Sequence, residues 1–500
     1  MSHFREKKAL LALVAGAAVA LSMPGLGIGP FVFVALVPLF AAIEKGRGFL
    51  AGFLAGVVFF AIDLRWLLTL YRFSWLVVPG YLILVAYLAA YFGLFCFLMV
   101  WVRGKRGFDG VLLVLAPLCF TLLEILRAYG PLGIGFSSLY LSLYRYPSLI
   151  QIAAVAGPWA ITAAIVCVNA SLYLAMRKSA GYFLIAGGIV GLLAAFSIYC
   201  GPREGEALAV AVVSSAVPQE KKLDGRNLLP LLEQYIALGE QAAGTNPDLI
   251  IFPESILPGY ILRDERLLPQ FRALAKGADA RVLFGTGDYR NGEIYNSVVL
   301  LSPDGTTVGT YDMVHPVPFG EYIPGRGLLE RIGLGRFANS FLFQDLARGE
   351  GYVPVGGIGT PICFEATFPT AARALGRNGA VLLVTVTNDA WFAGSSELRA
   401  HFAAAVFRAV ETRCTLIQAA NGGVSGVVDP RGRILNEVIG EGILFADAVQ
   451  LENKSLYSQR GNSILYAVLG ASSLAAIVWK TKRTCSSKKT TRGGDRSPPL

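Results

Sequence analysis

Acidic side chains and one cysteine stand where strand-like runs end in the second half of the chain. Glu254 follows the apolar run "LIIFP", and Cys363 follows "GTPI" and precedes Glu365 by two positions. Glu321 lies in the loop "YDMVHPVPFGEY", where two prolines and a glycine restrict the path of the backbone. Because a thiol beside a carboxylate at a strand end suits covalent catalysis, Cys363 is a candidate nucleophile.

Each of these signals has an ordinary structural explanation when it is taken alone. Glu254 could be a solvated loop acid, Cys363 a small buried hydrophobic residue, and the proline-rich loop a rigid connection. Their combination is more specific, because a Pro-Glu, a Phe-Gly-Glu loop and a Cys-Phe-Glu follow one another, each after a predicted strand. The three segments therefore predict one shared site.

The elements that must position these residues begin at about residue 207, where short β-branched runs alternate with helical stretches. Strands are predicted at "ALAVAVVSSAV", "DLIIFPES", "RVLFGTGDYR", "YNSVVLLSPDGTTVGTYDM", "GIGTPICFEATFP", "AVLLVTVTNDAWF" and "TLIQAANGGVSGVVDPRGRIL", and helices at "NLLPLLEQYIALGEQA" and "AHFAAAVFRAVETRC". This alternation predicts an α/β domain with strands inside and helices outside. The polar residues collect at strand ends, where sites in α/β domains usually form.

The remainder of the chain has the composition of a membrane protein. Of its 500 residues 54% are hydrophobic and 16% charged, and the mean hydropathy is +0.55. A spanning helix needs about 20 apolar residues, so the long uncharged runs predict spans. Residues 9–43 are too many for one span and carry the turn-rich "SMPGLGIGP", which predicts two. Eight spans are expected, the other six within residues 49–62, 75–102, 110–123, 148–176, 179–202 and 463–479.

The distribution of positive charge predicts the orientation of these spans. The N-terminus, every second short loop and the C-terminal tail together hold 17 Lys and Arg, whereas the opposite short loops hold four. Since positive loops stay in the cytoplasm, both termini are predicted there. The expected organisation is a membrane domain (1–202), a periplasmic domain (203–462), a C-terminal transmembrane helix (463–479) and a disordered basic cytoplasmic tail (480–500).

Metal, cofactor and nucleic-acid functions are not favoured. The seven cysteines include no Cys-x-x-Cys pair, and only His3, His315 and His401 could supply imidazole, so neither a metal site nor a cofactor is expected. The net charge of +10 is explained by the membrane orientation and by a tail near anionic lipid, not by a nucleic-acid partner.

The motifs, in their residues and in their order along the chain, resemble those of the nitrilase superfamily of carbon–nitrogen hydrolases. Within it, "FPES", "HPVPFGEYIP", "CFEATFP", "TNDAWF" and "ANGGVSGVVDPRGR", together with the predicted spans, resemble the apolipoprotein N-acyltransferase family. The resemblance covers nearly the whole chain. It is specific, because soluble nitrilases lack the membrane spans and the "VPFGEY" motif. It implies an α-β-β-α sandwich attached to a membrane bundle of about eight helices.

The resemblance also implies a Glu–Lys–Cys triad, with Glu254 as general base and Cys363 as nucleophile. Glu321 and Glu365 match family acids that support the site. The family lysine would stand just after a strand, and this chain has Met313 at that position.

No other lysine of the predicted outer domain lies in a motif. The lysines between residues 203 and 462 are Lys221, Lys222, Lys276 and Lys454. Lys221 and Lys222 lie in the polar loop "PQEKKLDGRN", where we expect both to be solvated. Without a cation beside the oxyanion, weak or absent transfer at neutral pH is expected unless a distant lysine replaces it.

The favoured function is transfer of an acyl chain from a membrane phospholipid to the α-amino group of a diacylglyceryl-modified apolipoprotein, through a thioester on Cys363. The expected location is the inner membrane, and the expected state is a monomer. Two alternatives remain, a membrane-tethered C–N hydrolase and a catalytically impaired paralogue that binds lipoprotein or lipid, which Met313 favours. Residues 255–262, "SILPGYIL", could guide acyl chains or simply pack at a strand end.

Overall fold

The fold is given by a computed structural model. It describes residues 2–44, 48–106, 109–129, 132–199, 205–336, 339, 342, 344–451 and 454–472. The expected domain boundary at 202–203, the basic tail at 480–500 and part of the last expected span, 463–479, lie outside these residues.

Apolar helices form the N-terminal part. The longer ones are Ser2–Ser22, Gly48–Asp63, Val77–Arg106, Asp109–Tyr129, Trp159–Arg177 and Gly181–Tyr199. Four shorter ones are Val32–Ala35, Val37–Ile43, Pro147–Ile150 and Ala153–Ala156. The fully buried Asn169 donates to the carbonyl of Val32 and accepts from the amide of Leu36, both at 2.8 Å, and so satisfies the backbone where two short helices meet.

Fewer than eight helices qualify as membrane spans among the described residues. Among the described residues, four helices are long and apolar enough to cross a membrane, or five if the bent pair Gly48–Asp63 and Arg65–Arg72 is one span. The expected span at 148–176 is interrupted at Gly157, whose φ is +81°, and at Pro158, so that only Trp159–Arg177 is long enough. Membrane helices are therefore present, but eight spans are not confirmed.

Two β-sheets form the core of the second half. Their strands are β1 Glu206–Ser214, β2 Leu249–Ile251, β3 Arg281–Arg290, β4 Glu293–Leu301, β5 Thr307–Asp312, β6 Ile358–Gly359, β7 Leu382–Asn388, β8 Thr415–Asn421, β9 Val424–Val428, β10 Ile434–Ile439 and β11 Gly442–Gln450. One sheet has the order β11-β1-β2-β3-β4-β5 and the other the order β10-β9-β8-β7-β6. The segment "YNSVVLLSPDGTTVGTYDM", predicted to be strand, forms the antiparallel hairpin of β4 and β5.

Helices cover the outer faces of both sheets. Leu228–Ala243 and Leu268–Ala278 pack on the first sheet, where Tyr235, Phe252 and Phe271 are fully buried. The second sheet is covered by Pro369–Arg377 and Glu397–Thr412, and the remaining short helices are Gln219–Leu223, Arg326–Arg331 and Leu456–Arg460. This arrangement confirms the expected α-β-β-α sandwich.

The parallel strands fix the place of the site. Strands β1, β2 and β3 run parallel, and so do β6, β7 and β8. Because parallel strands end at one edge of a sheet, the segments that follow β1, β2, β6, β7 and β8 meet at the same end of the sandwich.

That end of the sandwich faces the membrane domain. The guanidinium of Arg72 donates to the carbonyls of Ala390 and Trp391 at 2.8 and 3.1 Å. The rings of Phe136 and Phe364 lie 6.3 Å apart, and Phe364 directly follows Cys363. The candidate nucleophile is thus next to a loop that connects the apolar helices.

Candidate active site

Glu254 lies at the end of β2, on a backbone that the neighbouring strand approaches closely. A Cβ at Gly285 of β3 would lie 2.6 Å from the Cα of Glu254, so glycine is required there. The side chain of Glu254 is only 6% exposed, and its Oε1 accepts from Nδ2 of Asn296 at 2.6 Å. Its Oε2 is buried and accepts no N–H or O–H hydrogen bond from the described residues. That oxygen is available for the proton of a thiol.

Cys363 sits on a strained turn after β6. Its φ of +48° places a non-glycine residue in the left-handed region, and the short 3₁₀ helix Cys363–Thr367 begins there. The turn leaves the thiol partly exposed, within hydrogen-bonding reach of the Glu254 carboxyl. Oγ1 of Thr387 donates to its Sγ at 3.4 Å. The predicted nucleophile and the predicted base are thus brought together.

Glu365 connects the cysteine turn to the proline-rich loop. Its Oε1 accepts from the amides of Val314 and His315 at 2.7 and 2.9 Å. Its Oε2 accepts from the amide of Ile362 at 3.0 Å and from the hydroxyl of Tyr311 at 2.9 Å. With four donors on one fully buried carboxyl, Glu365 fixes two loops against each other and has no oxygen left for catalysis.

Glu321 and Met313 lie around Asn296, the residue that also contacts Glu254. Nδ2 of Asn296 donates to both Glu254 and Glu321, at 2.6 and 3.2 Å, and Glu321 also accepts from the amide of Val317. Met313 is 1% exposed, and its sulfur lies 3.8 Å from the same Nδ2. Methionine therefore fills the position expected for the family lysine without supplying a charge. Sequence reasoning did not identify Asn296, which no motif contains.

Burial dominates the electrostatics of the site. Desolvation raises the pKa of Glu254 above the usual carboxyl range, and it raises the pKa values of Glu321 and Glu365 to about 7. Desolvation and the nearby carboxylates raise the pKa of the Cys363 thiol well above its ordinary value. The thiol is consequently protonated at rest, so its activation requires a base in contact with it.

A second buried group lies behind the nucleophile. Nδ1 of His401 is 3.0 Å from Oδ1 of Asp389 and 3.6 Å from Oε1 of Glu397, and its Nε2 is 2.9 Å from the carbonyl oxygen of Cys363. Burial lowers the pKa of His401, but Asp389 and the other hydrogen bonds outweigh it and raise the value to about 9. The three side chains are close enough to hold a metal ion. Both ring nitrogens are engaged within the protein, however, which favours a role in positioning the cysteine turn.

The expectation that Lys222 is solvated is wrong. It is 6% exposed, and its Nζ donates to the backbone carbonyl of Glu254 at 3.1 Å, whereas the adjacent Lys221 is exposed as expected. The local sequence is polar, but it follows β1, whose carboxyl end lies beside that of β2. That parallel pairing is the signal that could have identified Lys222.

The loop at residues 255–262 packs at the strand end. Ile256, Leu257 and Ile261 are at most 3% exposed and belong to the core around Phe252. Their side chains are therefore not free to contact acyl chains, and the packing interpretation is the one that the burial supports.

Replacing Glu365 by glutamine should destabilise the protein. In the wild type, each oxygen of the carboxyl accepts from two donors. Glutamine replaces one oxygen by an NH₂ group, so at least one buried donor loses its acceptor, at a cost of about 1–3 kcal/mol. Thermal unfolding in detergent should show a lower midpoint for Glu365→Gln and an unchanged one for the exposed control Glu350→Gln. Equal midpoints for the two variants would contradict the role assigned to Glu365.

Family models match both halves of the chain. Residues 15–171 match the N-terminal domain of apolipoprotein N-acyltransferase, and residues 209–452 match the carbon–nitrogen hydrolase domain. An amidase of the nitrilase superfamily from Nesterenkonia resembles 53% of this chain over 98% of its own length, with 20% identity and a TM-score of 0.40.

Curated relatives match over almost the full length. The apolipoprotein N-acyltransferase of Geobacter metallireducens is 33% identical over 95% of this chain and 95% of its own. Those of Gloeobacter violaceus and Thermotoga maritima are 31% and 30% identical, over 91% and 85% of this chain and 90% and 84% of their own. The chain therefore belongs to the apolipoprotein N-acyltransferase family, whose members are acyltransferases built on a carbon–nitrogen hydrolase domain.

Proposed function

We propose that this protein transfers an acyl chain from a membrane phospholipid to the α-amino group of the lipid-modified N-terminal cysteine of an apolipoprotein. The observation that carries the proposal is the contact between the Glu254 carboxyl and the Cys363 thiol at the end of the sandwich that faces the apolar helices. A donor that resides in the bilayer and an acceptor anchored in it both reach such a site without leaving the membrane.

The first half of the reaction forms a thioester. Glu254 removes the thiol proton while Sγ of Cys363 attacks the carbonyl carbon of a phospholipid ester. When the tetrahedral intermediate collapses, the C–O bond breaks and Glu254 returns the proton to the departing glycerol oxygen. The products of this half are a lysophospholipid and an acyl group on sulfur.

The second half consumes the thioester. The free amino group of the apolipoprotein attacks the acyl carbon, and Glu254 takes a proton from the attacking nitrogen. The C–S bond then breaks and the proton passes to the thiolate, which restores the resting thiol. Glu321 and Glu365 keep their supporting places through both halves because each is held by backbone amides.

The cell inner membrane is the proposed location, with the sandwich in the periplasm, both termini in the cytoplasm and a monomer as the working unit. The charge distribution supports this orientation, because the short segments assigned to the cytoplasm hold 17 Lys and Arg against four in the opposite loops. Lipoprotein acceptors and phospholipid donors are then both present at the outer leaflet.

The two alternative functions are not favoured. A membrane-tethered hydrolase and a non-catalytic binding paralogue both share the fold, but the full-length relatives that match here are acyltransferases. A hydrolase would pass the acyl group to water, so the fate of the acyl group separates the two activities directly.

Cys363 should carry the acyl group during turnover. Incubation with a phospholipid labelled in one acyl chain should give a hydroxylamine-sensitive adduct on the Cys363 peptide, detected by mass spectrometry. Cys414→Ser is the matched control, because Cys414 is buried in the same domain away from Glu254 and should leave the adduct intact. An adduct that persists in Cys363→Ala would exclude this nucleophile.

Glu254→Gln should slow thioester formation by about 10²-fold or more, since it keeps the shape and removes the base. The base must be ionised, and its pKa is raised by burial. The wild-type rate of thioester formation should therefore rise with pH at values above the usual carboxyl range. The rate of the Glu254→Gln variant should show no such rise. Single-turnover rates between pH 4 and pH 8 measure both effects, and a loss below about tenfold would make Glu254 structural.

The sandwich should be accessible from the periplasm. A membrane-impermeant maleimide applied to cells with a permeabilised outer membrane should label Glu350→Cys, which lies on an exposed loop of the sandwich. Ser179→Cys, exposed between Trp159–Arg177 and Gly181–Tyr199, should be labelled only after lysis. The reverse pattern would invert the proposed orientation.

A further inference from the structure

We propose that Lys222 supplies the positive charge that the family lysine would provide from position 313, so that the site works with Met313. This inference rests on the proposed acyl transfer, and it concerns how the pair Glu254 and Cys363 is held and charged. Lys222 lies on the helix Gln219–Leu223 after β1, a different element from the loop that carries Met313.

The backbone around Lys222 directs its side chain into the site. The preceding loop is held by Asn421, whose side chain accepts from the amide of Val217 at 2.8 Å and donates to its carbonyl at 2.9 Å. On the helix itself, Oε1 of Gln219 accepts from Asn388 at 2.8 Å. Asn388 and Asn421 end β7 and β8, so Lys222 is fixed to the same edge that carries Cys363.

A contact from the membrane domain holds the outer side of the same helix. Glu220 lies 3.5 Å from Arg72, and both side chains are substantially exposed, so this pair adds little stability by itself. Its geometric effect is that Glu220 points away from the site while Lys222, two residues later, points inward. The adjacent Lys221 remains in solvent.

The inward ammonium meets an excess of negative groups. Its Nζ donates to the Glu254 carbonyl at 3.1 Å, and its charge acts on Glu254 and Cys363. Asp389 and Glu321, which also act on this pair, are acids. The His401 imidazole, hydrogen-bonded to Asp389 and to the carbonyl oxygen of Cys363, is also positively charged at neutral pH. A charge at this place lowers the pKa of the thiol and favours the ionised base. It also opposes the negative charge that develops on the acyl oxygen.

Burial makes this lysine sensitive to pH. Desolvation lowers the pKa of Lys222 to about 8, although the charges of Glu254 and Cys363 act in the opposite direction. The cation is thus present at neutral pH and is lost as the pH rises through about 8. The family position behaves differently here, because Met313 carries no charge at any pH.

The full-length protein in detergent with phospholipid provides the test. Lys222→Met should slow acylation of Cys363 by about 10²-fold, the usual loss for one oxyanion donor. Lys222→Met combined with Met313→Lys should recover at least about a tenth of the wild-type rate, because a cation returns beside Asn296 and Glu254. Lys221→Met is the matched control and should be unchanged.

Thiol reactivity provides a readout that does not need transfer. At pH 7, where Lys222 is charged, iodoacetamide should alkylate the Cys363 peptide about tenfold more slowly in Lys222→Met than in wild type, and the difference should shrink as the pH rises above about 8. The double variant should return the rate at pH 7 toward the wild-type value. A purely structural role for the hydrogen bond to the Glu254 carbonyl would produce neither this slowing nor the rescue.

The possible results separate this inference from the proposed function. A Lys222→Met variant that is acylated and alkylated at Cys363 at wild-type rates would overturn the inference. A variant that loses acylation, keeps the wild-type alkylation rate at pH 7 and is not rescued by Met313→Lys would overturn it as well. A wild-type protein that never acylates Cys363 would overturn the proposed function, and the alkylation rates at pH 7 would still decide whether Lys222 acts on the thiol.

Discussion

The structure depends on one constraint, which is that several acidic side chains are kept away from water around the thiol of Cys363. Glu254 and Glu365 are buried, Glu321 is half-buried, and desolvation raises the pKa of each. Buried carboxyls persist only where donors or cations satisfy them. Backbone amides and a tyrosine hydroxyl satisfy Glu365, one side-chain amide is shared by Glu254 and Glu321, and Lys222 reaches the carbonyl of Glu254.

The topology explains why these groups can meet at all. Residues that are far apart in the sequence follow parallel strands of two stacked sheets, so their loops converge at one end of the sandwich. The strained φ of Cys363 belongs to the turn that places its thiol beside Thr387 and Glu254. Close passage of β3 beside Glu254 depends on Gly285, so the backbone as well as the side chains defines the distance between base and nucleophile.

The sequence predicted the sandwich and the grouping of Glu254, Cys363, Glu321 and Glu365, because alternating hydrophobic runs and motifs at strand ends are local patterns. It could not predict where the apolar runs break, since Gly157 and Pro158 divide one run and the helix Gly48–Asp63 bends into Arg65–Arg72. The prediction that Lys222 is solvated was wrong, because a polar, charged segment usually lies at the surface. Only the pairing of β1 with β2, a contact between distant segments, brings that segment into the interior.

The contact of Arg72 with the sandwich has a consequence for how such chains can be recombined. Arg72 belongs to the membrane half, yet it donates to the carbonyls of Ala390 and Trp391 and lies beside Glu220 on the helix that carries Lys222. Both partners adjoin the edge of the sandwich that carries Cys363. A chimera that joins the helices of one relative to the hydrolase half of another therefore has to keep these contacts compatible beside the candidate active site.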